Sequence, residues 1–407
     1  MNKYYKFIAI VFVILICSCK GENTKKAKVV ESINDKDSIT VFDFSANLSK
    51  GCSIDTLSYD NLIKSVRYIP LETNENSMLG KGDITVRMIA GKFIVSTGRG
   101  NFLILKEFDL NGKYISNLFN IGRGRNEIPL PYYWIANDSL NEIIIGGNDK
   151  MILFNVTTGD LSDVRLKESF FNLTGILLCN STIVKCLFNA DDPRTGTTDY
   201  PYMSFIDASG KIISERCYPT ERDIAYSPIS GVSSYPFETY LLKSTNYGAI
   251  FKDLYNDTIY AIRSKDNIRA RYVVKRGNKY MPIIEEALRS GDKKSDKIYF
   301  TDIIDSPEYL FISYYLDNNY NTSIWKKNEG KLIASYSGIP RIDYKKYYWE
   351  YMAIMPFFFD GFKGVLPIDY VTADNKIYVG VNASQLMNVL PDLKDDDNPV
   401  IIEITLK

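Results

Sequence analysis

A turn signal that returns about every 50 residues constrains the fold of this 407-residue chain more than any other feature. Turns containing glycine or asparagine at residues 112, 159, 210, 267 and 330 are separated by 47, 51, 57 and 63 residues. Each lies between short segments in which apolar and polar residues alternate, as in paired β-strands with one exposed face. Four short strands in a period of about 40–50 residues are typical of a β-propeller blade, whereas a β-sandwich has no such period.

The clearest of these units is EFDLNGKYISNLFNIGRGRNE, residues 107–127. Asn111-Gly112 lies between two apolar-alternating segments, and this dipeptide readily takes the positive φ angles of a type I′ turn. The unit therefore predicts a hairpin, which ends where Gly122-Arg123-Gly124 interrupts the second strand.

Sets of strands begin near residues 79, 128, 170, 235, 297 and 360, which predicts six blades. The opening strand at 62–71 is left over, and pairing with 400–406 would complete the last blade and cover both free sheet edges. The predicted fold is an all-β, six-bladed β-propeller with four-stranded antiparallel blades, closed by an N-terminal strand. Residues 282–289 and 384–390 are expected to form short helices on blade loops.

The N-terminus predicts export. Lys3 and Lys6 precede an apolar run over residues 7–17 that is shorter than the roughly 20 residues of a membrane span. The end of this run, ICSC, resembles a bacterial lipobox with Cys19 as the lipidated residue; an ordinary secretory signal is the alternative.

The predicted domains are a lipoprotein signal peptide (1–18), a polar tether (19–57) and the propeller (58–407). The protein is then expected to be exported and held by its lipid at the cell envelope, on the outer membrane. A short apolar patch inside the tether, residues 41–44, is expected to dock on the propeller.

Composition excludes several chemistries. The chain has no histidine, which removes Ser-His-Asp catalysis, His-ligated zinc and histidine-based pH sensing. Lys plus Arg equals Asp plus Glu at 49 each, so no basic excess points to nucleic acid. The four cysteines after Cys19, which are Cys52, Cys179, Cys186 and Cys217, form no CxxC pair, and both free thiols and disulfides stay open. No cofactor, metal site or catalytic residue is predicted.

Two groups of residues are candidate ligand contacts. Gly122–Arg125 could cradle an anion with backbone amides and the guanidinium groups of Arg123 and Arg125, or could simply connect two blades. Aromatic clusters could stack on sugars or bury a peptide, or could pack between blades. These aromatic candidates are Tyr132, Tyr133, Trp134, Tyr347, Tyr348 and Trp349.

Two other kinds of motif say less about function. The acidic run of Asp392 and residues 395–397 lacks the spacing of a calcium loop and predicts a solvated loop. Asp-Ser-Ile at 37–39 and Asp-Thr-Leu at 55–57, both in the predicted tether, look like bacterial O-glycosylation sites.

Several segments together resemble a known family. RYIPLET (67–73), FDLNGK (108–113), IGRG (121–124) with Glu127, and NDTIY (256–260) resemble the six-bladed β-propeller lipoproteins of Bacteroidetes-type bacteria, which are relatives of NHL-repeat propellers. That family usually continues its glycine motif with Pro-Gly-Glu-Tyr, where this chain has Arg-Asn-Glu-Ile. The resemblance implies an exported, membrane-anchored protein of the kind often regarded as a binding or scaffold module, and it supplies no catalytic residues.

The expected function is therefore a non-catalytic binding or scaffold module for a glycan or protein partner. The alternative is a histidine-independent hydrolase, lactonase-like or carboxylate-based, that uses the propeller funnel. The lack of histidine favours binding. Three or more carboxylates and amides converging on one point would favour metal-assisted hydrolysis, whereas an aromatic, arginine-rimmed face would favour binding.

Overall fold

The computed structural model describes residues 39–47, 62–80, 82, 84–98, 103–124, 127–147, 150–165, 175–178, 181–186, 201–217, 240–253, 256–279, 297–316, 319–339, 353–359 and 362–407. The chain from Lys36 to Lys407 forms one compact unit. Cys19, Arg125, Tyr347, Tyr348, Trp349 and the helix expected at 282–289 lie outside the described residues.

The unit is a ring of six antiparallel blades, so the predicted six-bladed β-propeller is confirmed. The chain begins with β1 (Thr40–Asp43), the short helix α1 (Phe44–Asn47) and β2 (Ile63–Pro70). Blade 1 has β3 (Ile84–Ile89), β4 (Lys92–Thr97), β5 (Ile104–Phe108) and β6 (Tyr114–Asn117), followed by β7 (Asn120–Ile121) and β8 (Glu127–Ile128). Blade 2 has β9 (Tyr133–Asn137), β10 (Glu142–Gly146), β11 (Lys150–Asn155) and β12 (Leu161–Arg165).

The next three blades repeat the same antiparallel order. Blade 3 has β13 (Gly175–Leu177), β14 (Ile183–Cys186), β15 (Pro201–Ile206) and β16 (Ile212–Cys217). Blade 4 has β17 (Tyr240–Thr245), β18 (Gly248–Asp253), β19 (Thr258–Ser264) and β20 (Asn267–Lys275). Blade 5 has β21 (Tyr299–Asp305), β22 (Tyr309–Leu316), β23 (Asn319–Lys326) and β24 (Lys331–Ile339).

The sixth blade closes the ring with strands from both ends of the unit. It follows β25 (Ala353–Phe359) and contains β26 (Phe362–Ile368), β27 (Lys376–Val381) and β28 (Val400–Leu406). Val371, just after β26, bridges to Ile377 of β27. β2 pairs antiparallel with β28 from Ile63↔Leu406 to Pro70↔Val400, which confirms the predicted closure.

The burial of each strand follows its position in the blade. The second strands β4, β10 and β27 are buried at nearly every residue because neighbouring blades cover both faces, and they read as continuous apolar runs. The outer strand β6 alternates between half-buried and exposed residues because water covers its free side. Apolar clusters between adjacent blades form the core.

A fifth strand is added to blade 4. β1 pairs parallel with the outer edge of β20, from Thr40↔Tyr272 to Asp43↔Lys275. Phe42 and Phe44 are 0% exposed, so the apolar patch that the sequence placed in the tether does dock on the propeller. We call residues 40–47 the strap.

The hairpin at Asn111-Gly112 does not have the type I′ turn that the dipeptide suggested. Only Gly112 has a positive φ (82°), and the N–H groups of Asn111 and Lys113 donate to Asp109 Oδ1 at 2.8 and 2.9 Å. The aspartate stabilises a three-residue loop that ends in a left-handed glycine. The same arrangement recurs at Asp207 and Gly210.

Helical structure is sparse in the described part of the chain. Where a helix of one to two turns was expected at 384–390, a 3-10 helix covers Ala383–Gln385 and hydrogen-bonded turns continue to Leu390. None of the described helices has the length and apolar character needed to cross a membrane.

Candidate functional site

Charged side chains from five blades meet at the centre of the ring. Arg87, Lys243 and Asp302 each occupy the fourth position of an innermost strand, in β3, β17 and β21. Asp138 and Asp369 directly follow the innermost strands β9 and β26. Innermost strands surround the central channel of a propeller, so the five residues converge on its axis. We call them the axis cluster.

Two ion pairs organise the axis cluster. Arg87 donates to Asp369 Oδ2 at 3.1 Å, which joins blade 1 to blade 6. Lys243 lies 2.9 Å from Asp302 Oδ1, which joins blade 4 to blade 5. The Asp302 side chain is 0% exposed and also accepts the N–H of Ile303, whereas about a third of the Asp369 side chain (33%) is accessible in the channel.

Arg87 has a second contact within the channel. Its guanidinium carbon lies 4.3 Å from the centroid of the Tyr370 ring, a cation–π geometry that fixes the orientation of the planar group. The guanidinium is therefore held from two sides, by the Asp369 carboxylate and by the Tyr370 ring.

The pKa shifts in the axis cluster follow from burial and from this pairing. Burial alone would raise the pKa of Asp369, but the positive charges of Arg87 and Lys243 outweigh it and the pKa lies below its ordinary value. Burial would lower the pKa of Lys243, but attraction to Asp302 and Asp369 outweighs it and raises the pKa. Both groups are held in their charged forms.

Asp138 is the exception in the axis cluster. Burial raises the pKa of its carboxyl group to about 6, and the positive charge of Arg87 only partly opposes this. A carboxyl group of this kind exchanges protons near neutral pH, as the acid or base of a hydrolase must.

The carboxylates of the axis cluster do not form a metal site. The carboxylate of Asp302 is paired with the Lys243 ammonium at 2.9 Å, and that of Asp369 with the Arg87 guanidinium at 3.1 Å. Within the described ranges, no group of three or more Cys, Asp or Glu side chains is placed to hold a metal ion. The arrangement is a fixed array of hydrogen-bond donors and acceptors around a channel.

The glycine loop, for which the sequence left open an anion cradle or a connection between blades, holds a carboxylate of its own chain. The N–H of Gly124 donates to Glu127 Oε2 at 2.8 Å, and the Gly122 N–H donates to the Ile128 carbonyl at 3.2 Å. A Cβ at Gly122 would lie 2.0 Å from Glu127 Oε2, so a side chain at this position would collide with the carboxylate. Arg123 is exposed on this loop.

The predicted aromatic candidates of the second blade point in different directions. Trp134 donates its indole N–H to Ser96 Oγ at 3.1 Å and packs in the core between blades 1 and 2. Tyr133 lies on the opposite face of β9 against Met151 and Leu177, and burial raises the pKa of its phenol. The structure thus separates these two rings rather than joining them in one stacking surface; Tyr132 is half-buried beside them.

The axis cluster was not among the candidate residues predicted from the sequence. One signal was available: a charged residue at the fourth position of a largely apolar strand that opens a blade, as in ITVRMI, YLLKST and YFTDIID. Their pairing could not be read from the chain, because Arg87 and Asp369 are 282 residues apart.

Comparison with known proteins agrees with the fold. A crystal structure of a Bacteroides fragilis protein inferred to be exported is similar over 91% of this chain and 100% of its own, with a TM-score of 0.59 and 14% identity. A member of the DUF4221 family from Bacteroides vulgatus is similar over 85% of this chain and 98% of its own, with a TM-score of 0.48 and 13% identity. At 14% identity the likeness to the B. fragilis protein concerns the fold alone.

No curated protein matches the chain. One family does: its sequence model, described as a domain of unknown function, covers residues 39–405, including the strap and all six blades. The chain therefore belongs to the DUF4934 family.

Proposed function

We propose that this protein is a non-catalytic binding or scaffold module that recognises a glycan or protein partner through the axis of its propeller. The observation that carries the proposal is the pairing of charges there. Two ion pairs fix the charged groups, and the side chains of Arg87, Lys243 and Asp369 stay 16%, 23% and 33% exposed, so these three can donate hydrogen bonds to a partner or accept them from it. A rigid polar array of this kind suits recognition.

The cellular location of the protein is part of the proposal. The apolar run and the lipobox-like ICSC support export and lipidation at Cys19, and the B. fragilis protein of similar fold is itself inferred to be exported. A lipid at Cys19 would hold the protein at the cell envelope, with the outer membrane as the proposed site.

The test uses the full-length protein in detergent, on a glycan array and in pull-downs from a cell-envelope extract. Asp369→Asn removes one partner of an axis ion pair, and Asp374→Asn is the matched control because its side chain is 58% exposed in the following turn. We expect retention of the partner to fall at least tenfold for Asp369→Asn and to stay unchanged for the control. Equal retention by both variants would contradict recognition at the axis.

A histidine-independent hydrolase remains the second candidate because of Asp138. A carboxyl group whose pKa is about 6, next to Arg87, has the properties of a general acid. Pure protein that hydrolyses a lactone or glycoside, with turnover lost in Asp138→Asn and kept in Asp374→Asn, would establish this function in place of simple binding.

A further inference from the structure

A polar groove lies away from the axis, where the strap meets blades 4 and 5. It has a volume of about 390 Å³, within the range of about 300–1,000 Å³ that small-molecule sites have. Three parts of the chain supply its walls: the strap, the outer strand β20 and two turns of blade 5. The polar lining comes from Thr40, Arg271, Glu308, Lys327 and Asn328.

A buried carboxylate fixes one wall of the groove. Asp305 is 0% exposed at its side chain and accepts hydrogen bonds from the hydroxyls of Tyr247 at 2.5 Å and Tyr272 at 3.1 Å. It also accepts from Lys327 Nζ at 2.6 Å. Because three donors converge on one carboxylate, the Lys327 ammonium is held in a single position at the groove wall.

Arg271, on the part of the lining that β20 supplies, is equally fixed. The guanidinium carbon of Arg271 lies 5.4 Å from the ring centroid of Tyr247 and 5.3 Å from that of Tyr272. Arg271 Nε also donates to the Tyr272 hydroxyl at 3.2 Å. Stacking and the hydrogen bond together orient the planar group, so little conformational entropy is lost when a ligand contacts it.

The charges and surfaces of the groove restrict the class of ligand. Arg271 and Lys327 are balanced by Glu308 on the lining and by Asp305 beneath it, so the groove has no net charge that favours a phosphate or another anion. A hydroxyl group can accept from the two cations and donate to a carboxylate or an amide oxygen, as a polyhydroxylated ligand does many times over.

The apolar part of the lining is small. It comes mainly from Ala270 and Pro307, because Tyr272 is only 3% exposed. Peptide recognition relies on large apolar or aromatic anchors that fill pockets, and this groove has no pocket of that kind. A small apolar patch is sufficient for the C–H face of a sugar ring.

We infer that this groove is a binding site for a neutral saccharide, with Thr40 of the strap as part of its wall. The inference rests on the proposed function in one respect: it names a glycan as the partner class. It adds a second contact site, separate from the axis, which is complete only when the strap is docked.

The test is calorimetric titration of the full-length protein with neutral oligosaccharides (cello-, xylo-, manno- and maltohexaose), with polygalacturonate and with an unstructured peptide. Glu308→Gln and Asn328→Ala change two exposed side chains on the lining. Glu329→Gln is the matched control, an exposed glutamate next to Asn328 that does not line the groove. Unchanged melting temperatures for all variants show that the fold is intact.

We expect a neutral oligosaccharide to bind, at least tenfold more weakly to Glu308→Gln and Asn328→Ala and with unchanged affinity to Glu329→Gln. If these variants keep saccharide binding and Asp369→Asn abolishes it, the groove is not the binding site, and the proposed function still stands. Binding of only the acidic polymer or only the peptide would overturn the ligand class. Absence of any saccharide binding would overturn the inference, and the proposed function would fall with it only if the pull-down also retained no protein partner.

Discussion

The strap is predicted to be an integral part of the propeller core, and Phe44→Ala tests this. Phe44 is 0% exposed, and its ring centroid lies 5.8 Å from Phe300, 5.3 Å from Tyr314 and 5.0 Å from Trp325. Phe42, also 0% exposed, packs on the same tryptophan at 5.6 Å. Four segments of the chain therefore meet at these two rings.

The expected cost follows from this packing. Truncating a buried phenylalanine to alanine costs about 3–5 kcal/mol, because the removed atoms no longer contribute buried apolar surface and a cavity remains. Three aromatic neighbours, each worth about 0.5–1.5 kcal/mol beyond the area, place Phe44 in the upper half of that range. We therefore expect Phe44→Ala to lower the free energy of unfolding by about 4–5 kcal/mol.

The assay is guanidinium denaturation followed by tryptophan fluorescence, since Trp325 is in direct contact with the mutated ring. Val41→Ala is the control: Val41 is in the same strand and is 41% exposed, so its change should stay within about 0.5 kcal/mol. A loss below about 1 kcal/mol for Phe44→Ala would refute the reasoning. It would mean that the strap is not docked on the propeller, so that the substitution removes no buried packing.

Three further changes have defined outcomes. Lys243→Met removes the ion pair that Lys243 forms with the fully buried carboxylate of Asp302 and should cost about 3–5 kcal/mol in chemical denaturation. The folded pKa of Asp138, about 6, lies above the unfolded value, so the carboxyl destabilises the fold once it ionises. Asp138→Asn should therefore gain stability over wild type as pH rises from about 4 to about 6, by at most about 3 kcal/mol. The stability difference should be absent below about pH 4 and constant above about pH 6. A stability difference that does not change with pH would contradict the burial of this group. Gly122→Ala displaces the Glu127 carboxylate, the end of a flexible side chain, from the Gly124 N–H and should cost about 0.5–1.5 kcal/mol in thermal melts, the value of one hydrogen bond. Gly80→Ala, whose Cβ would have 3.6 Å of room, should be nearly neutral.

Much of the architecture was predictable because it depends on local patterns. The turn glycines keep their left-handed conformation at residues 112, 159, 210 and 330, and the strands between them fold as predicted. Pairing of the opening strand with 400–406 was also predictable, since 62–71 was left over from the six sets and the last blade could take it up. The turn at Asn111 was read wrongly because the carboxylate of Asp109, two residues earlier, stabilises a different loop.

The functional centre was much harder to predict. Arg87 and Lys243 look like single charges in their strands, and Asp302 shares its strand with Asp305; only the closed ring brings the three to a common axis. The sequence left two roles open for the glycine loop, an anion cradle or a connection between blades, and the anion that its amides bind is supplied by Glu127, three residues further on. No local rule distinguishes an anion site from one that the chain fills itself.

The most direct test of the central claim, a closed ring whose first and last blades meet through charges at its axis, is a double-mutant cycle on Arg87→Met and Asp369→Asn. These residues are 282 positions apart and 3.1 Å from each other. The structure predicts a coupling free energy of about 1–3 kcal/mol between them, against less than about 1 kcal/mol for the exposed pair Arg67–Glu403. Effects that simply add, within about 0.5 kcal/mol, would contradict the convergence of charges on which the proposed recognition depends.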